Sequence, residues 1–198
     1  MQFDEGSRGF SFQKDGPLDM RMNVQDMVSA KEVVNRFTET ELGNIFRHFG
    51  EETLWQRGAK AIVDARRKKP IETTFELKET LEKVFPRRGK IHPATKVFQA
   101  LRIFVNKELD HIDATLRAAA ERLSSKGRMA VITFHSLEDR IVKNVFREIS
   151  SPIRDLQGNR VKDAAMRLIT KKPIVPSRRE IRRNRRSRSA KLRIIEKV

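Results

Sequence analysis

Four stretches of this chain combine residue types that can do chemistry. The first is Arg8-Gly9-Phe10-Ser11-Phe12-Gln13-Lys14-Asp15-Gly16-Pro17-Leu18-Asp19-Met20-Arg21-Met22, a glycine-punctuated loop with two aromatics and two carboxylates beside basic residues. Phe10 or Phe12 could stack on an extruded base, a contact worth about 1–3 kcal/mol. Asp15 or Asp19 could accept a hydrogen bond from an exocyclic amine. The same residues also fit a structural role, with both phenylalanines as core plugs and the aspartates closing turns.

The second stretch runs from His92 to Asn106. Gln99, Arg102 and Asn106 follow helical spacing and share a polar face that could hold phosphates, a neighbouring loop or only solvent. The third is Phe134-His135-Ser136-Leu137-Glu138-Asp139-Arg140, placed where a strand is expected to give way to a helix. Ligands collect at the carboxyl ends of strands in open α/β sheets, so His135 could be a base, a base-edge contact or a structural hydrogen bonder. Ser136 reads as the helix cap, with Glu138 and Asp139 favouring the helix N-terminus. The fourth is Arg182-Arg183-Asn184-Arg185-Arg186-Ser187-Arg188-Ser189-Ala190-Lys191-Leu192-Arg193, suited to neutralising phosphates and stacking on bases.

The elements that must position these groups are mostly helical at first. Ser29-x-x-Glu32, Thr38-x-x-Glu41 and Thr73-x-x-Glu76 are capping-box patterns that open helices. Gly50 reads as a left-handed stop, and a third helix is expected over about 51–67. The apolar series Val97, Leu101, Val105, Leu109, Ile112, Leu116 and Leu123 predicts one long helix from Pro93 to Leu123. The period then changes. Arg128–Phe134 reads as a buried strand, Leu137–Ile149 as a helix, Leu168-Ile169 as a short strand, Ser177-x-x-Glu180 as the start of a basic helix, and Leu192–Glu196 as a final strand. Helix–strand–helix order is a fragment of an α/β layer fold.

Charge is uneven along the chain. The formal net charge is +17, of which residues 101–198 carry +14 and residues 1–100 only +3. A polyanionic partner is the simplest reason for that field. No cysteine is present, which excludes disulfides and thiolate metal sites and suits a reducing cytoplasm. No apolar run approaches the roughly 20 residues of a membrane span, and Met1–Glu5 has no signal-peptide character. His48, His92, His111 and His135 lack metal-ligand spacing, so no metal is expected, and no carboxylate cluster supports a metal-dependent nuclease.

Six blocks in this order resemble one family. They are RGFSFQKDGPLDMRM at 8–22, FGEE at 49–52, HPATKVFQALRIFVNKEL at 92–109, FHSLEDRIVK at 134–143, KKPIVPS at 171–177 and RSRSAKLRIIEK at 186–197. The chain is similar to the S-adenosylmethionine-dependent methyltransferases that modify the N4 amine of a cytosine in the decoding site of bacterial 16S rRNA. The resemblance implies an α/β fold: a partial Rossmann-like methyltransferase domain with an inserted all-helical substrate-recognition lobe. Residues 1–24 would be the active-site loop, 25–92 the lobe and 93–198 the C-terminal part of the methyltransferase domain.

It further implies S-adenosyl-L-methionine as cofactor, 16S rRNA of the small ribosomal subunit as partner, a cytoplasmic location, and a monomer or homodimer. Asp19 and His135 would be catalytic, and Gln2 would touch the cofactor. Phe10, Phe12, Arg21, Arg102, Arg185, Arg186 and Arg188 would contact RNA. The family's glycine-rich motif ending in Gly-Gly-His, its ribose-binding acid and its Asp-Leu-Gly-Val-Ser-Ser strand end are expected before Met1. The chain is therefore expected to be a truncated form that binds cofactor weakly and is inactive alone. Asn184-Arg185 stands where the family usually has Asn-Pro. The competing expectation is a non-catalytic RNA-binding or ribosome-associated module.

Overall fold

The computed structural model describes residues 6–86 and 92–198, and the chain forms two compact units, 1–108 and 109–198. The first unit is helical, with α1 (Ala30–Arg36), α2 (Glu39–Gly50), α3 (Trp55–Arg66), α4 (Thr74–Glu82) and α5 (Thr95–Asn106). The three capping boxes are present at Ser29, Thr38 and Thr73, each hydroxyl accepting from the N–H of the glutamate three residues on. Leu42, Phe46, Ile62, Leu77, Leu81 and Leu101 are fully buried between these helices. Each such side chain contributes roughly 1.5–3 kcal/mol through burial.

Two expectations about helix ends are corrected. Gly50 stays helical, and the left-handed residue is Glu51, at φ 47°. Gly50 is needed for close approach instead, because a Cβ there would lie 2.8 Å from the carbonyl oxygen of Lys96 on α5. The single helix expected over 93–123 is two, α5 and α6 (Ile112–Arg122). Lys107 turns left-handed at φ 50°, and the Glu108 N–H closes back on Ile103 O at 3.2 Å, a Schellman-type stop.

In the second unit α6 and α7 (Ser136–Ile149) pack on a three-stranded antiparallel sheet ordered β1 (Arg128–Thr133), β5 (Lys191–Lys197), β4 (Met166–Leu168). Met129 pairs with Ile195 and Val131 with Arg193, and these residues face the helices. The period of two puts Ala130 and Ile132 on the opposite face, where Ile132 is 58% exposed. Among the described residues β1 pairs only with β5, so its other edge is open. A separate hairpin, β2 (Ile153–Arg154) with β3 (Arg160–Lys162), and a six-residue basic helix α8 (Arg178–Arg183) complete the unit.

Candidate functional site: a clamped loop and an arginine run

The loop over 8–22 folds back on itself because Gly9 adopts φ 67°, and a Cβ there would sit 2.1 Å from Pro17 O. Asp15 closes the entry to α4, accepting from the N–H groups of Gly16 and Phe75 at 3.0 and 3.1 Å. Phe10 is a core residue at 7% exposure, and Phe12 is half-buried against His92 and Phe98, with ring centroids 4.7 and 4.9 Å away. Phe10 therefore takes its structural alternative: its ring is packed in the helical core and unavailable for stacking on a base.

Asp19 and Arg21 come together as a bidentate pair, Nε to Oδ1 at 2.7 Å and NH2 to Oδ2 at 2.8 Å. Arg21 NH1 also donates to the carbonyls of Val24 and Asp26. The Arg21 hydrogen bond holds the Asp19 carboxyl below the usual carboxylate range, against the opposing pull of partial burial. Asp19 is thus a fixed anion, able to accept a hydrogen bond from an amine but not to hold a proton near neutrality. Arg102 is likewise engaged inside the unit, bidentate with Glu108 at 2.7 and 2.9 Å.

In the second unit, the turn from β1 into α7 is capped by His135, not by Ser136. His135 Nδ1 accepts from the Glu138 N–H at 3.4 Å, and Glu138 Oε2 accepts from the N–H groups of Phe134 and His135 at 2.8 and 3.2 Å. Burial pushes the Glu138 carboxyl up, but hydrogen bonds from His135 and Phe134 outweigh it and leave it lowered. His135 is 9% exposed, and its Nε2 makes only a long contact to Glu138 Oε1 at 3.3 Å, short of good hydrogen-bond geometry. One turn further on, Asp139 anchors α7 to β5. It accepts from Arg193 at 2.7 and 3.1 Å and from Lys191 at 3.2 Å. Sequence reasoning gave Asp139 only a helix-dipole role, because its partners lie 52 and 54 residues away.

The arginine run stands apart from this pairing. Arg178, Arg179, Arg182, Arg183, Arg185, Arg186 and Arg188 are all exposed. Arg178, Arg179, Arg182, Arg183, Arg185 and Arg188 engage no side-chain partner among the described residues. The backbone beneath them is ordered: Ser177 caps α8 through Glu180, and Asn184 Oδ1 caps the 3-10 turn Arg185–Ser189. A folded scaffold thus presents open guanidinia within eleven residues. Gln2, the expected cofactor contact, lies outside the described residues.

The described residues do not compose an S-adenosylmethionine site. In such a site the turn after a parallel strand offers free N–H groups and an acid to the ligand. Here β1 is antiparallel to its neighbour, and the N–H groups of Phe134, His135 and Glu138 at its end are taken by the cap.

One helical unit and one unit with a small antiparallel sheet backed by helices make a mixed helix and sheet chain, consistent with an α/β methyltransferase family. The chain belongs to the MraW methylase family, whose model matches residues 1–198. It is 50% identical over 197 residues to the ribosomal RNA small subunit methyltransferase H of Elusimicrobium minutum (strain Pei191), covering 100% of this chain and 64% of that protein. It is 48% identical over 204 residues to the protein of that name from Clostridioides difficile (strain 630), covering 100% and 66%. Against that of Persephonella marina (strain DSM 14350 / EX-H1) it is 50% identical over 194 residues, covering 96% and 62%. The chain thus spans just under two thirds of the length of these relatives. Among the described residues no helix is long and apolar enough to cross a membrane.

Proposed function

We propose that this chain is the RNA-facing part of a cytoplasmic enzyme that methylates the N4 amine of a cytosine in the decoding site of 16S rRNA, using S-adenosyl-L-methionine. The observation that carries the proposal is the arginine run, six open guanidinia on a capped scaffold in a chain 50% identical to a ribosomal RNA small subunit methyltransferase. Phosphate neutralisation by basic side chains supplies a large, salt-dependent share of affinity for nucleic acids. Arg21 and Arg102 already hold carboxylates, so RNA phosphates fall to Arg178–Arg188 rather than to these two.

Asp19 and His135 are the candidates for contacts with the reacting base. An amine delocalised into a cytosine ring is a poor nucleophile, and a fixed carboxylate such as Asp19 orients it by accepting its hydrogen. His135 Nε2 is buried and served only by a long contact to Glu138 Oε1 at 3.3 Å, which leaves it capacity for a partner supplied from outside the turn. The open edge of β1 and the exposed Ile132 face support a sheet completed in the Rossmann manner by further strands, with the helices within 25–92 as substrate-recognition lobe.

A second reading is favoured by one observation, the occupied N–H groups after β1: the 198-residue chain alone binds RNA without methyl transfer. The test uses two proteins, the chain itself and a fusion to the segment of the Elusimicrobium minutum relative that the chain does not match. Each is incubated with small ribosomal subunits and methyl-labelled S-adenosylmethionine, and the rRNA is digested to nucleosides. Labelled N4-methylcytidine from the fusion only is the expected result. RNA binding by both with no labelled nucleoside from either would leave the non-catalytic module as the function.

A further inference from the structure

Every backbone polar group from Asp19 to Met22 has a partner, and few of them come from regular structure. The Asp19 N–H donates to Pro17 O, and Asp19 O accepts from the Ala30 N–H at 2.7 Å. The Met20 N–H donates to Arg8 O, and the Arg21 N–H to Asp19 Oδ1, both at 3.0 Å. Arg8 NH2 donates to the carbonyls of Arg21 and Met22 at 2.7 and 3.0 Å. The last two groups belong to one side chain, Asn106, at the end of α5. Its Nδ2 donates to Met20 O at 2.7 Å, and its Oδ1 accepts from the Met22 N–H at 2.6 Å.

Within this cage Met20 is fully buried with φ 62°, a left-handed conformation unusual for a side chain of its size. Such residues cost of order 1–3 kcal/mol and persist only where surrounding contacts over-determine them. The Asn106 amide cannot turn over, because Nδ2 also donates to Arg102 O at 2.8 Å. A flipped amide would set oxygen against two carbonyls and NH2 against an N–H.

We infer that Asn106 is a positioning residue for the Asp19–Arg21 pair: it clamps the left-handed Met20 turn and so fixes where the carboxylate points. Arg8 is its counterpart on the other side of the loop. This inference rests on the reading that the loop faces the target base. Asp19 flanks Met20 directly, so a relaxed Met20 would swing the carboxylate by a change in one backbone dihedral. Preorganised groups of this kind act on turnover more than on binding.

The test has two arms. In the first, amide hydrogen exchange is measured by NMR on the full chain with Asn106→Leu, which matches the shape and removes both hydrogen bonds to the loop together with the one to Arg102 O. Exchange at Met22 is expected to accelerate about tenfold or more, with the α2 amides unchanged. Unchanged exchange at Met22, or equal acceleration through α2, overturns the clamp. In the second, the fusion protein is assayed for methyl transfer with Asn106→Leu, Arg8→Met and both. Turnover is expected to fall about tenfold or more in each single variant with KM for RNA little changed. The double variant should be no worse than the weaker single, because one loop is released either way. A rise in KM alone, or additive losses, overturns the positioning role. An inactive wild-type fusion would refute the enzymatic reading, while the exchange arm still decides whether the clamp exists.

Discussion

Replacing Arg193 with methionine removes one side of the best-buried ion pair in the second unit. Arg193 and Asp139 are 8% and 11% exposed at their side chains, and two hydrogen bonds of 2.7 and 3.1 Å join them. Breaking such a pair from one side strands a buried charge and costs about 3–5 kcal/mol. Lys191, 3.2 Å away and more exposed, stays as a weaker partner, so the low end, about 3 kcal/mol, is expected here. At roughly 4–8 °C per kcal/mol for a unit of this size, the melting temperature of the second unit falls by about 12 °C or more.

The pair also sets an acid dependence. Burial pushes the Asp139 carboxyl up, but the hydrogen bonds and charges of Arg193 and Lys191 outweigh it, so the folded pKa lies below the unfolded value. Stability from the pair is then fully present above the unfolded value of about 3.9 and is lost as pH falls through the folded one. The assay is urea denaturation of the full chain between about pH 3 and pH 7, with hydrogen-exchange mass spectrometry on peptides covering α7 and β5. Arg193→Met should lose its stability difference from the wild type toward the acid end. Combining Asp139→Leu with Arg193→Met should recover most of the loss, because neither charge of the pair is left buried alone. A loss below about 1 kcal/mol for the single variant, or an equal loss in the double, would refute the assignment of this pair as the α7–β5 anchor.

Gly9→Ala places a Cβ 2.1 Å from Pro17 O at φ 67°, so the 8–22 loop should open, read as proteolytic cleavage within it; an intact, equally resistant loop would contradict the geometry. His135→Ala removes the α7 cap and should cost about 1 kcal/mol in chemical denaturation. His135→Asn keeps a capping acceptor and should recover that stability without recovering methyl transfer in the fusion protein. Recovery of both would make His135 a cap alone.

Much of the fold was legible because its signals are local. The three capping boxes, a strand from Arg128 and the final strand follow from residues a few positions apart, but the first strand ends at Thr133 rather than Phe134 and is open on one face rather than buried, with Ile132 58% exposed. The helix break at Lys107 was not legible. Leu109, Ile112 and Leu116 continue the apolar period past it, and no glycine or proline marks the stop. At the break Arg102 folds onto Glu108, six residues on, and Asn106 reaches the distant Met20 loop. The candidate site shows the same division. The polar face of Gln99, Arg102 and Asn106 was visible, and a neighbouring loop was among its expected partners. That Asn106 grips Met20 and Met22, 86 and 84 residues away, was not. Asp19 was singled out for catalysis and Arg21 for RNA, yet nothing in a two-residue spacing shows that they would bind each other. His135 displaced Ser136 as cap by one position, since either residue offers an acceptor.

The claim that most needs testing is that the arginine run is where RNA phosphates are held. The most direct measurement is the salt dependence of binding to a decoding-site RNA strand, for the wild type and for a variant with Arg182, Arg183, Arg185 and Arg188 all changed to alanine. Each phosphate contact adds about 0.7 to the slope of log affinity against log salt for single strands, so the slope should fall by about 3 with the fold unchanged by circular dichroism. An unchanged slope would place the RNA elsewhere on the chain and contradict the account.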